Sequence, residues 1–193
     1  AVGYTYDRGE FKARDFEYVP LAPAGSMSAA ATDMAHFMIA HLEGGRYGSA
    51  HILSDATARQ MHSRLFAHAP QVNGVLHGFY EMSRNGQRIF GHGGDTFWFH
   101  TVLMLLPDQN LGLFASYNSD TGAKARSELV SAFLDHYYPA PESPTPKPAA
   151  DFRERARRFE GSYAAIRISE TTLAKLARLF AVINVRASLP SLA

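Results

Sequence analysis

Cysteine is missing altogether from the 193 residues, which excludes disulfides, thiolate nucleophiles, iron–sulfur clusters and Cys-based zinc sites. That absence leaves the compartment open, because reducing and oxidising locations both accept Cys-free chains. An excess of one charge is missing too. Nineteen Lys and Arg stand against eighteen Asp and Glu, a formal net charge of +1. A nucleic-acid or anionic-membrane binder draws its affinity from phosphate neutralisation, so phosphate backbones are poor candidate partners. No uncharged apolar run approaches the ~20 residues a membrane span needs. The chain opens on Ala1-Val2-Gly3-Tyr4-Thr5-Tyr6, without an initiator Met, a basic segment or an apolar leader, and reads as a fragment of a longer polypeptide. No repeat at solenoid or propeller period is present.

What is there divides once. From Pro139 to Pro148 five of ten residues are proline, an extended and semi-rigid linker. Three regions follow: residues 1–138, a Pro-rich linker over 139–150, and a tail over 151–193 that is too short, at about 45 residues, to bury a core of its own. Met34, Phe37, Met38 and Leu42 recur at helical spacing, with Ser28 in the cap region and Gly44-Gly45 as the stop. A second helix is predicted from about Ser54 through Met61 to Leu65. Phe79 to Arg84 and Gln87 to Phe90 flank Asn85-Gly86, the pair a type I′ hairpin turn requires. Phe97 to Leu106 and Leu111 to Tyr117 read as strands joined by a turn at Pro107-Asp108-Gln109-Asn110. Leu129, Val130, Phe133, Leu134 and Tyr137 mark a third helix, closed by Pro139. Helices around a block of antiparallel strands mean an α+β fold, an antiparallel β-sheet flanked by helices.

The candidate chemistry centres on Gly91-His92-Gly93-Gly94-Asp95-Thr96, between two strand-like runs. Glycine weakens a strand unless it makes room for a ligand, a bulge or another chain, so two readings stand here: a groove that something approaches, or a local bulge or tight turn. A dinucleotide fingerprint fails, since Thr96 stands where a glycine is needed and a strand follows where a helix should. The pairs His36 with His41 and His92 with His100 lack the spacing of a histidine metal site, so no metal is expected and these are surface or core histidines. A hydrolase elbow G-x-S-x-G is absent. Asp95 with Asp108 or Asp120 gives no carboxylate pair that spacing can support. Met27, Met34, Met38 and Met61 are core filler.

The succession Pro23-Ala24-Gly25-Ser26-Met27-Ser28, Thr32-Asp33-Met34-Ala35-His36-Phe37-Met38, Gly44-Gly45, Gly91-His92-Gly93-Gly94, Leu106-Pro107-Asp108 to Gly112 and Tyr117-Asn118 resembles the C-terminal half of the serine β-lactamase and penicillin-binding-protein superfamily. More narrowly it is similar to the class C β-lactamase-related esterases and peptidases, over about residues 1–138. The tail, with Phe159-Glu160-Gly161-Ser162-Tyr163 and Leu173 to Phe180, resembles the start of an accessory C-terminal region. Such a family implies an incomplete β-lactamase/transpeptidase-like fold and an acyl-enzyme mechanism on a small-molecule acyl substrate. It implies no cofactor. Three motifs carry that chemistry: S-x-x-K, Y-x-N, and K-T-G or H-x-G on a strand beside the nucleophile. Only the third is present. No Ser has Lys three residues on, and no Tyr has Asn two residues on. The resemblance places both motifs in an N-terminal part of the same domain, upstream of Ala1.

By the same resemblance His92 fills the third motif, and the backbone N–H of Asp95 is one of two oxyanion-hole donors. Gly93, Gly94, Thr96 and Asn118 line the substrate groove. The change from Lys to His matters for substrate. A Lys of reference pKa ~10.4 holds a carboxylate as a permanent cation, whereas free imidazole, at ~6.5, is mostly neutral at pH 7. The reading therefore favours an esterase or amidase on uncharged acyl groups over its alternatives, a D-Ala-D-Ala carboxypeptidase or β-lactamase, or a non-catalytic binding module of the same fold. A plain α+β domain with a structural glycine loop is the blandest reading. Members of this kind in bacteria commonly work outside the cytoplasm, so a periplasmic or extracellular location is expected. A portion of such a sheet is expected to expose a strand edge and an apolar helix face, and to associate.

Overall fold

A computed structural model describes residues 1–20, 22–142, 149–164, 172–173, 176 and 182–187. It divides into two units, Ala1–Glu142 and Ser143–Ala193. The first unit opens with a hairpin that the sequence reading had not identified, β1 (Gly3–Asp7) and β2 (Glu10–Arg14). Next come α1 (Ala31–Leu42), the short pair β3 (Arg46–Tyr47) and β4 (Ala50–His51), and α2 (Asp55–Met61). Six strands then follow in order: β5 (Arg64–Phe66), β6 (Val75–Leu76), β7 (Tyr80–Glu81), β8 (Phe90–Asp95), β9 (His100–Leu106) and β10 (Leu111–Tyr117). The long helix α3 (Gly122–Tyr137) ends the series.

These six strands form one sheet in the order β10-β9-β8-β7-β6-β5, every neighbouring pair antiparallel. Strand β9 is its keel. Side chains alternate across a strand, so Leu103 and Leu105 fall on one face and Val102, Met104 and Leu106 on the other. The first face joins Met38, Leu76, Phe79 and Phe90, with Met34 and Leu42 of α1 packed against them. The second joins Ile89 and Leu134, with Val130 and Phe133 of α3 against it. One strand thus holds a helix to each side of the sheet, as the α+β reading requires.

Local chemistry explains the boundaries. Helix α1 starts at Ala30 rather than at Ser28: the Asp33 carboxylate, three residues on, accepts from the Ala30 N–H at 2.9 Å and does the capping work. Where α1 crosses β10 there is no room for a side chain, and a Cβ at Gly112 would lie 2.8 Å from the Met38 sulfur. Helix α2 is capped by Ser54, whose hydroxyl accepts from the Thr57 N–H at 3.1 Å. It ends at Met61, and Leu65 belongs to β5 instead of the helix. The reason is Arg64, which reaches across the sheet to Glu81 at 2.7 Å and pulls the chain into extended pairing. Hydrogen bonding from Arg64 is the main cause holding the Glu81 carboxyl below its usual range.

Asn85 and Gly86 both take left-handed φ, +54° and +74°, in a turn closed by Gln87 N–H on Arg84 O at 2.9 Å, as the hairpin reading expects. The β9–β10 connection is one 3₁₀ turn over Pro107–Gln109 that exits through Asn110 at φ +48°. The first hairpin docks at the end of β10, where the Tyr4 N–H donates to Asn118 O at 2.9 Å and the Asp120 N–H donates to Tyr4 O at 3.0 Å. Beyond that point the outer edge of β10 faces no other strand among the described residues.

In the second unit, α4 (Phe152–Arg157) precedes an antiparallel pair, β11 (Gly161–Ala164) with β12 (Val182–Val185). The Tyr163 hydroxyl donates back to Phe159 O at 2.8 Å. Residues 143–148 of the Pro-rich linker, and all of Leu173 to Phe180 except Leu173 and Leu176, lie outside the described residues.

Candidate functional site

Strand β8 is paired unevenly. On one side β9 covers it from Phe90 to Asp95. On the other, β7 reaches only Phe90 and Gly91, so from His92 to Asp95 that edge faces no strand among the described residues. The register with β9 runs without a shift from Phe90↔Leu105 to Asp95↔His100, which disposes of the bulge reading.

The glycines then separate by cause. Gly91 answers to its own neighbours, because a Cβ there would collide with the Leu103 carbonyl. Gly94 would have nothing of this chain within 4 Å of its Cβ, and at Gly93 the nearest atom would be Thr101 O at 3.6 Å. None of these three has a left-handed φ. Neither packing nor backbone conformation within the chain therefore requires glycine at 93 or 94.

Backbone direction follows from two hydrogen bonds. The Thr96 N–H points at β9, donating to Phe99 O at 2.9 Å, and Ile89 O points the opposite way, accepting from Met82 N–H at 2.8 Å. N–H and C=O directions alternate residue by residue along a strand. The amides of Gly93 and Asp95 are consequently turned away from β9, toward the open edge.

The side chains around this edge take distinct roles. The exposed His92 ring lies against Tyr80, centroids 4.9 Å apart, with Nδ1 bonded to Gly93 O. Thr96 closes the β8–β9 turn, its hydroxyl accepting from the Phe99 N–H at 3.1 Å. The tip of that turn is tied to the first unit's opening segment: Glu17 accepts from the Phe97 N–H at 3.1 Å, and the Arg14 guanidinium lies 5.6 Å from the centre of Trp98. Asn118 is engaged elsewhere, its Nδ2 donating to Val2 O at 2.8 Å. The structure thus brings His92, Gly93, Gly94, Asp95 and Thr96 onto one edge and binds the Asn118 amide to the opening segment.

Two participants went unread in the sequence. Asp95 Oδ1 accepts from His100 Nδ1 at 2.6 Å and from Arg126 Nη1, on α3, at 2.8 Å. Burial alone would raise the Asp95 pKa, but these hydrogen bonds and charges outweigh it and the carboxyl is held below its usual range. The only signal for His100 was its place at the head of a β-rich run, and Arg126 looked like one more polar residue on a helix. His92 and His100 do not meet, since His92 pairs in register with Leu103. His36 and His41 also part, His36 against Tyr47 and His41 bonded to His62. Among the described residues no group of three His, Cys, Asp or Glu is placed to hold a metal ion, and no helix is long and apolar enough to cross a membrane.

Against known proteins, the family model described as Beta-lactamase matches residues 2–135. Among solved structures, a D-stereospecific amidohydrolase from Streptomyces sp. is similar at 17% identity and TM-score 0.53, over 69% of this chain and 39% of that one. The protein SurE is similar at 20% identity and TM-score 0.59, over 87% of this chain and 39% of its own. These likenesses are of fold, and the chain spans about two fifths of each neighbour's length. No curated protein matches the chain.

Proposed function

The chain belongs to the β-lactamase family, and from that premise we propose that it forms the substrate-edge portion of a serine acyl hydrolase acting on an uncharged ester or amide. The observation that carries this reading is the open edge of β8, with two glycines that the chain itself does not need and the Asp95 N–H turned outward. An acyl group laid along that edge finds no Cβ in its way and an amide donor facing it.

The chemistry would run as follows. A Ser hydroxyl from polypeptide preceding Ala1 attacks the carbonyl carbon, its proton passing to a neighbouring Lys or Tyr from the same part. Negative charge then gathers on the carbonyl oxygen, where the Asp95 N–H, with a second donor at the nucleophile, stabilises it. A donor so placed contributes ~3–4 kcal/mol to transition-state stabilisation. The leaving group departs with a proton, and water releases the acyl group from the Ser oxygen. His92, at the third-motif position, offers an imidazole held by Gly93 O and Tyr80 in place of a permanent ammonium. Arg126, the cation nearest Asp95, already serves Asp95, Gly94 O and Thr101 O. Neither feature favours a substrate that must be held by its carboxylate. The periplasm or the exterior of a bacterial cell is the location that fits such a hydrolase.

The test compares the 193-residue chain with a longer polypeptide that supplies S-x-x-K and Y-x-N, on a chromogenic ester and a chromogenic cephalosporin. Ester turnover by the longer polypeptide alone is the expected result. Hydrolysis by the isolated chain at the same rate, or no turnover by either, would overturn the reading. In the active polypeptide, Gly94→Val should lower kcat/KM at least ~10-fold, through crowding of the edge. Its thermal midpoint should stay within ~3 °C, since a Cβ at Gly94 meets nothing of this chain within 4 Å. A midpoint that fell with activity would make Gly94 structural.

A further inference from the structure

We propose that Arg126 is a positioning residue for the acyl site, holding the Asp95 peptide from α3 so that its N–H stays aimed into the open edge. This rests on the reading of that edge given above. A single guanidinium nitrogen, Nη1, lies 2.8 Å from Asp95 Oδ1, 3.1 Å from Thr101 O and 3.4 Å from Gly94 O. It therefore ties the last residues of β8 and the second residue of β9 to the helix behind them. His100 adds a second grip on the same carboxylate oxygen, at 2.6 Å.

The geometry suits that task. Asp95 and His100 are directly opposed in register, and the alternation of β9 puts His100 on the face of Val102, Met104 and Leu106, the face that α3 covers. The Asp95 side chain is thereby fastened behind the sheet while its amide lies in the sheet plane, facing the groove. Fastening the first fixes the second. Arg126 is mostly covered, at 18% side-chain exposure, and so is His100 at 11%, so both are held by packing as well as by their hydrogen bonds to Asp95. Gly122, at the start of α3, leaves room for this: a Cβ there would come within 3.2 Å of His100 Cδ2 and 2.5 Å of Tyr117 Cβ. Without this grip the Asp95 carboxylate would be left to water, and the end of β8, which β7 does not pair, would be held through β9 alone.

Such a brace acts through the strand and not by touching substrate, so its signature is a loss in the chemical step with binding preserved. In the longer, motif-bearing polypeptide, Arg126→Gln should lower kcat roughly 10- to 100-fold with KM within about twofold, a loss typical of a misplaced donor. Affinity for an arylboronic acid, which mimics the tetrahedral oxyanion, should fall by a similar factor. Arg126→Lys, which keeps the charge but not the fork, should recover part of the loss. Amide NMR on the same polypeptide should show the Asp95 N–H signal shifted in Arg126→Gln and its exchange with water accelerated. A variant with unaltered kcat, KM and boronate affinity and only a lowered thermal midpoint would overturn the proposal. Should the unmutated polypeptide hydrolyse neither ester nor cephalosporin, the functional reading fails by itself, and an Asp95 amide that does not move in Arg126→Gln would sink the positioning claim separately.

Discussion

Lowering the pH from 7.5 toward 4 is expected to destabilise the first unit steeply, and the loss should trace to two histidines remote from β8's open edge. His41, on α1 and 3% exposed, has its Nδ1 3.0 Å from Nε2 of His62, just past the end of α2. One nitrogen donates and the other accepts, so the pair loses its hydrogen bond once both rings are protonated, when two donors face each other. Aromatic edges enclose them: Phe37 lies 4.4 Å and Phe79 5.1 Å from His41, and Phe90 lies 4.5 Å from His62. Arg88, which donates to His62 O at 2.8 Å and lies over Phe90, adds a positive charge on the same side. Burial, then His41, then Arg88 bring His62 down to about 4, and burial lowers His41.

The sign follows from proton counting. Unfolded histidines take up protons near pH ~6.5 while the folded pair refuses them, so the unfolded state binds more protons below that pH and stability falls with pH. Stability is whole above ~6.5 and is lost progressively toward 4, where folded His62 itself is protonated. Two and a half pH units at ~1.4 kcal/mol each bound the loss near ~3.5 kcal/mol, and partial solvent access to His62 reduces it to about 2 kcal/mol. Urea unfolding at pH 7.5, 5.5 and 4.5 measures it. His62→Gln, which can still bond His41 but does not titrate, should flatten the profile, and an equally steep profile in that variant would refute the assignment.

The other large effect is Gly91→Ala. One methyl group placed against the Leu103 carbonyl must push β8 away from β9 at the centre of the sheet, where Phe90, Met104 and Leu105 are buried. Overpacking of this kind costs ~1–3 kcal/mol when side chains can yield, and backbone yields less, so a loss of about 3 kcal/mol is expected. Gly94→Ala, three residues along, should change stability by no more than ~0.5 kcal/mol. Thermal or denaturant midpoints of the two variants, measured side by side, decide the matter. Equal effects would mean that the two glycines do not divide into one kept for packing and one kept for the groove.

Much of this was legible beforehand. The apolar run ending at Leu106 announced a strand and the spacing of Met34, Met38 and Leu42 a helix face, because burial on both sides of β9 depends on apolar pattern alone. Asn85-Gly86 announced its turn because few residue pairs take two left-handed φ values at low cost. Leu65 misled, since its helical spacing could not weigh the long-range pull between Arg64 and Glu81. The opening hairpin escaped because β2 is exposed throughout and carries no buried face to leave a pattern. His92 through Thr96 could be singled out as a glycine anomaly. Asp95's hold on His100 and Arg126 could not, as it joins residues 31 apart in sequence through a helix that lands on the sheet only after folding.

Among the described residues no strand pairs the outer flank of β10. Seven residues of backbone, Leu111 to Tyr117, offer donors and acceptors at strand spacing with apolar side chains among them. Such a flank is a template, and in a concentrated solution of the isolated chain it is open to any extended segment that can pair with it, a second molecule included. Oligomers that grow with concentration and bind thioflavin would then measure how strongly this seam seeks closure. A synthetic strand that pairs there should act as a chain terminator.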